Sequence, residues 1–165
     1  MHHFGSKDGL RAACDAHVAA VIRERKREAM AAGPSFDMMG ALRQVDGGPP
    51  LTRYLARRLV ESSPEVDALF DELVADAVEY MAEGVRSGAL RPTGDPFGRA
   101  AVLTAWSLGA LVLHEHLARV LGVDLLGPPA EARAYLRPAL ELFTGGLLAP
   151  ELAARARAQL EEEPS

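Results

Sequence analysis

Three places in the sequence carry residue types that could do chemistry. His114-Glu115-His116 offers two imidazoles and a carboxylate. Two histidines at i and i+2 of a helix project about 200° apart, so they cannot close on one ion. No His-Glu-x-x-His or Glu-x-x-His pair accompanies them, as a catalytic zinc or carboxylate-bridged centre would need. They read as solvated or hydrogen-bonded histidines at a helix end, and no metal ligand is assigned. Cys14 is the single cysteine. A thiol nucleophile needs a base, and His17 at i+3 is within reach, but no third group or oxyanion feature follows. Cys14 therefore reads as a small apolar residue. Gly47-Gly48 and Gly145-Gly146 fit no phosphate-loop spacing. No catalytic residue and no cofactor is assigned, and the chain reads as a non-enzyme.

The elements that carry these residues follow from composition. The chain has 165 residues, 48% apolar and 25% charged, which suits one domain with a real core. Ile22 is the sole isoleucine, threonines and aromatics are few, and Ala, Leu, Arg and Glu dominate. Strands favour β-branched and aromatic side chains, whereas helices favour the set present here. An all-α fold of about seven helices is expected. One cysteine excludes an internal disulfide framework. No apolar run reaches the ~18 residues of a membrane span, and the start has no apolar signal core. No membrane partner and a cytoplasmic location are expected.

Charge is uneven. Residues 1–27 hold six Lys/Arg against three Asp/Glu, while the rest holds twelve against twenty. The acidic body excludes a nucleic-acid-binding surface there.

Ser6 reads as the N-cap of a helix from Lys7, with Leu10, Ala13, Cys14, His17, Val18, Val21 and Ile22 on its inner face. The run Arg23–Glu28 reads as its solvated last turn. Residues 36–45 read as a short helix, in which Met38-Met39 are core or the lining of an adaptable cavity. Residues 46–50 read as a break. Residues 51–61 form the next helix, with Leu51, Tyr54, Leu55, Leu59 and Val60 inward. Ser63-Pro64 opens a long helix to Ser87, which Gly88 stops. Asp95-Pro96 opens another, to about residue 121. Between Ala100 and Leu113 it holds no charge, and Thr104 and Ser107 are its only polar residues. A helix apolar all round must be buried all round, which here suggests one face in the core and one on a second subunit. Helices over 131–145 and 150–160 complete the chain.

The segment His2-His3-Phe4-Gly5-Ser6-Lys7-Asp8-Gly9-Leu10 resembles the signature at the exit of the recognition helix in the tetracycline-repressor-like (TetR) family of bacterial regulators. The turn Gly88-Ala89-Leu90-Arg91-Pro92, the apolar helix after Asp95-Pro96 and Gly146-Leu147-Leu148 are similar to that family's ligand-binding domain. Two lysines against sixteen arginines also fit a GC-rich bacterial coding sequence.

The resemblance implies that residues 1–28 are the end of a DNA-binding domain and 29–165 a ligand-binding and dimerisation domain. It implies phosphate contacts from His2, His3 and Lys7, which position a protein without reading bases. It implies a small apolar ligand lined by Met39, Leu42, Tyr54, Phe70, Leu73, Val74 and Trp106. It implies a homodimer through a four-helix interface carrying Leu108, Leu111, Val112, Leu136, Leu140 and Phe143. The expected function is a one-component transcriptional regulator, a repressor by the family's habit, released from operator DNA by its ligand.

The family's first helices, ~40 residues by usual helix lengths, are expected before Met1. Operator binding is expected only if they are present. Met1 is then an internal start within a longer frame, which an exposed Phe4 favours. In the alternative it starts a non-DNA-binding helical ligand-binding or interaction dimer.

Overall fold

The computed structural model describes residues 6–37, 48–127 and 132–162. The fold is all-α: seven α-helices and one 3₁₀ turn, with no strand among the described residues. The helices are α1 (Lys7–Ala31), α2 (Gly48–Arg58), α3 (Pro64–Ser87), α4 (Pro96–Val112), α5 (His114–Leu121), α6 (Arg133–Gly145) and α7 (Pro150–Glu162).

Helix limits follow local chemistry. Ser6 Oγ accepts from Gly9 N at 2.9 Å and starts α1. Ser63 Oγ accepts from Val66 N, with Pro64 in the first turn of α3. Asp95 accepts from Gly98 N at 2.8 Å and starts α4 ahead of Pro96. Gly88 ends α3 in the left-handed region at φ 83°, which a side chain would resist.

Helix α3 is the axis of the packing, with α1 along one side and α4 along another. Two apolar clusters lie along it. The first joins Val18 and Ala19 of α1, Leu55 of α2, Leu69 and Leu73 of α3, and Leu108 of α4. The second joins Ala77, Tyr80 and Met81 of α3 to Ala100 of α4, with Met30 of α1 against it. Polar ties reinforce the α1–α3 contact. Arg23 Nη1 donates to Asp76 at 3.2 Å, and Ser87 Oγ donates to the Met30 carbonyl at 2.5 Å.

Several expectations need correction. The inner face of α1 is turned relative to the expected one: Asp15, Val18 and Ala19 are buried, whereas Leu10 and His17 are exposed. The charged run does not end α1. The helix continues to Ala31, and Arg23 bridges to α3. Phe36 and Asp37 are not helical, and residues 38–45 of that expected helix lie outside the described residues. Gly48, Pro49 and Pro50 open α2 rather than break the chain, since proline is tolerated in a first turn. Val60 lies beyond α2 and is 66% exposed, because the helix ends at Arg58.

The expected helix over 95–121 is two helices, α4 and α5, bent by 73° at Leu113. The bend coincides with the change from the uncharged run to His114-Glu115-His116. No single helix among the described residues is long and apolar enough to cross a membrane.

Candidate functional site

The apolar interior is assembled from four helices. Tyr54 of α2 and Phe70 of α3 pack half-buried against the first cluster, which contains Leu73 itself. Val74, one position on, is also buried. The structure thus brings Tyr54, Phe70 and Leu73 to one cluster. It does not bring Trp106 there. Trp106 lies on the opposite side of α4 and meets Phe143 of α6, ring centroids 5.0 Å apart and planes at 36°. Met39 and Leu42 lie outside the described residues.

A polar network adjoins the apolar cluster. Asp15 is 8% exposed and Arg58 6%. Arg58 Nε donates to both Asp15 oxygens, at 3.3 and 3.2 Å. Tyr54, one turn earlier on α2, donates its hydroxyl to Asp15 Oδ1 at 2.6 Å. Arg58 Nη1 also reaches Glu61 Oε2 at 2.5 Å. Burial and the hydrogen bond to Asp15 push the Tyr54 hydroxyl well above the usual tyrosine range. Burying a charge is costly unless it is paired, and here both charges are paired and hydrogen-bonded. Sequence reasoning missed this network. The available signal was the i, i+4 spacing of Tyr54 and Arg58 on one helix, beside an aspartate next to the apolar face of α1.

Beside the network opens a cleft of about 460 Å³, lined by Asp8, Arg11, Asp15, Arg58, Glu61 and Glu72 among others. Its rim is charged, and none of the expected ligand residues lines it.

Elsewhere, apolar side chains are exposed on and beyond α4 and α6. Val102, Trp106 and Leu113 of the α4 segment, Leu140 and Phe143 of α6, and Leu147 and Leu148 beyond it are exposed. Of the expected interface set, Leu140 and Phe143 stand on this surface, Phe143 at 60% exposure. Leu111, Val112 and Leu136 are half-buried. Leu108 is not on it: the α4 residues Ala100, Thr104 and Leu108, spaced by four, form the inner face, so Leu108 belongs to the first cluster.

At the start of α1, Lys7 is exposed beside the Ser6 cap. His2 and His3 lie outside the described residues. Cys14 is half-buried and His17 exposed. Among the described residues no group of three or more His, Cys, Asp or Glu is placed to hold a metal ion, the His114–His116 segment included.

A family profile described as the C-terminal domain of tetracyclin repressor-like proteins matches residues 47–149. The chain belongs to this family. The match spans α2 to the end of α6, and so includes the α2, α3 and α4 faces of the interior and the Trp106–Phe143 surface. The HTH-type transcriptional regulatory protein RaaS of Mycobacterium tuberculosis is 34% identical to this chain over 157 residues. That covers 90% of this chain and 70% of the relative. This alignment extends the likeness well beyond the TetR C-terminal domain.

Proposed function

We propose that this chain is the ligand-binding and dimerisation part of a TetR-type transcriptional regulator, a repressor that a small apolar ligand releases from operator DNA in the cytoplasm. In this reading residues 1–28 are the end of a DNA-binding domain. Lys7, beside backbone N–H groups at the start of α1, contacts a phosphate together with His2 and His3. Two subunits pair through the apolar surface of α4 and α6, centred on Trp106 and Phe143, which leaves one DNA-reading head per subunit at a fixed spacing. The ligand enters the interior among α1 to α4.

The observation that carries this reading is a buried connection. Asp15 ties α1 to Tyr54 and Arg58 of α2, and Tyr54 also packs against the apolar cluster. A ligand that moves α2 therefore moves the helix whose first turn carries Lys7. To empty the operator it must favour the DNA-incompetent state by several kcal/mol.

The family membership supports regulation, and the RaaS relative, named as an HTH-type transcriptional regulatory protein, supports action on DNA. Deleting the gene and profiling transcripts tests it. Repression predicts that a small set of transcripts rises several-fold and falls again when the intact gene is restored. An unchanged profile would sink the regulatory reading.

A further inference from the structure

The core of this chain is jointed. On α3 the change from the first cluster to the second falls between Leu73 and Ala77. On α4 it falls between Leu108 and Ala100, and Thr104 stands midway on the same inner face. Thr104 is 8% exposed, and its hydroxyl has no hydrogen-bond partner among the described residues. A helical threonine can turn its hydroxyl onto the carbonyl one turn back, yet here it does not. The other orphaned buried side-chain atom among the described residues, Arg99 Nε, belongs to a guanidinium that already donates to the Arg91 carbonyl at 2.6 Å, toward the start of α4. Thr104 is thus the unpaired polar group at the joint, and valine would fill the same space without leaving a donor unmade.

We propose that the Thr104 hydroxyl is the polar anchor of the effector, which inserts at this joint between α3 and α4. The inference rests on the ligand-controlled reading above and names the ligand's chemistry. The residues that flank the joint, Leu73, Ala77, Ala100 and Leu108, are all apolar. Such a lining favours a neutral ligand over a charged one. The effector is a neutral, mostly apolar molecule with one hydroxyl or carbonyl oxygen placed to pair with Thr104.

Benzyl alcohol and toluene, which differ by one hydroxyl, test this against the wild type, Thr104→Val and Thr104→Ser. Methyl NMR of Leu73, Val74 and Leu108 reports binding, and thermal melting reports stability. Toluene is expected to bind all three proteins equally. Benzyl alcohol is expected to bind the wild type and Thr104→Ser about tenfold more tightly than Thr104→Val, the loss of one buried hydrogen bond. Without ligand, Thr104→Val is expected to melt at or above the wild type.

A lower melting temperature for Thr104→Val would show that the hydroxyl is already satisfied, which overturns the proposal. Equal binding of benzyl alcohol to all three proteins would overturn the anchor and leave an apolar interior site standing. If neither compound moved these methyls, the anchor and the interior-ligand reading would fall together.

Discussion

The Tyr54 hydroxyl and the Asp15 carboxylate, 39 positions apart in sequence, meet at 2.6 Å. Arg58 closes on the same carboxylate, so two residues of α2 hold one residue of α1. Among the described residues this is where a buried charge joins these two helices, and it sits against the apolar cluster that contains Leu55.

Removing Asp15 leaves Arg58 buried with Glu61 as its remaining carboxylate. Asp15→Ala is expected to cost about 3 kcal/mol, the low end for breaking a buried pair, because Glu61 persists. Tyr54→Phe deletes one hydrogen bond to a charged acceptor and is expected to cost about 1.5 kcal/mol. Urea unfolding of the two variants checks the order.

Tyr54 also sets a limit at high pH. Its ionisation is held above that of a free tyrosine, near 10, by burial first and by Asp15 second. The folded chain therefore keeps a proton that the unfolded chain releases. The stabilisation is fully present below pH 10 and is lost as the pH rises beyond it. Tyr80, raised by burial and by Asp76, adds to the same slope. Melting temperatures between pH 9 and pH 11 are expected to fall less steeply for Tyr54→Phe, while Tyr80 preserves part of the slope.

Two glycines with positive φ separate backbone strain from crowding. Gly33 has φ 58°, and a Cβ there would lie 2.8 Å from the Ser87 carbonyl oxygen. Gly88 has φ 83° but open space around it. Gly88→Ala is expected to cost about 1 kcal/mol from the left-handed conformation alone. Gly33→Ala is expected to cost more, about 2–3 kcal/mol, because the 3₁₀ turn after α1 must also move away from the end of α3. Chemical denaturation of both variants distinguishes the two terms.

Core and surface apolar residues in and just beyond α2 are expected to differ sharply. Leu55→Ala is expected to cost about 3 kcal/mol, since Leu55 is almost wholly buried among α1, α3 and α4. Val60→Ala is expected to stay within about 0.5 kcal/mol. Equal losses would contradict the end of α2 at Arg58.

The pairing surface has its own readout. Phe143→Arg puts a charge beside Trp106 on the proposed interface. Sedimentation velocity is expected to show a dimer for the parent chain and a monomer for the variant, with helix content unchanged by circular dichroism. A monomeric parent chain at micromolar concentration would count against this surface as the subunit contact.

Much of this fold was legible in the sequence, because helix signals are local. Ser6, Ser63 and Asp95 announce helix starts through their own side chains, and Gly88 announces a stop through its backbone freedom. What was not legible depends on partners far away in sequence. Asp15 faces inward because Arg58 is there to meet it, and no periodicity in α1 reveals that. Leu108 and Phe143 looked alike as apolar residues, yet one is core and the other surface, because the side that α3 and the first cluster occupy decides it. The ligand-lining set divided for the same reason. Tyr54 and Leu73 share a cluster, while Trp106 points the other way.

The 73° elbow at Leu113 governs how the chain can change length. Helix α4 alone, with 17 residues, gives a straight apolar rod of about 25 Å. Adding one residue within it would rotate everything downstream by about 100° and scramble which side chains face inward and which face out. Beyond the elbow a change of length spares the register of Ala100, Thr104 and Leu108, but it displaces Val123 and Leu126, which are buried just after α5. Insertions within α4 should therefore be rejected, whereas an insertion in the exposed connector at 91–94, ahead of Asp95, leaves that register untouched.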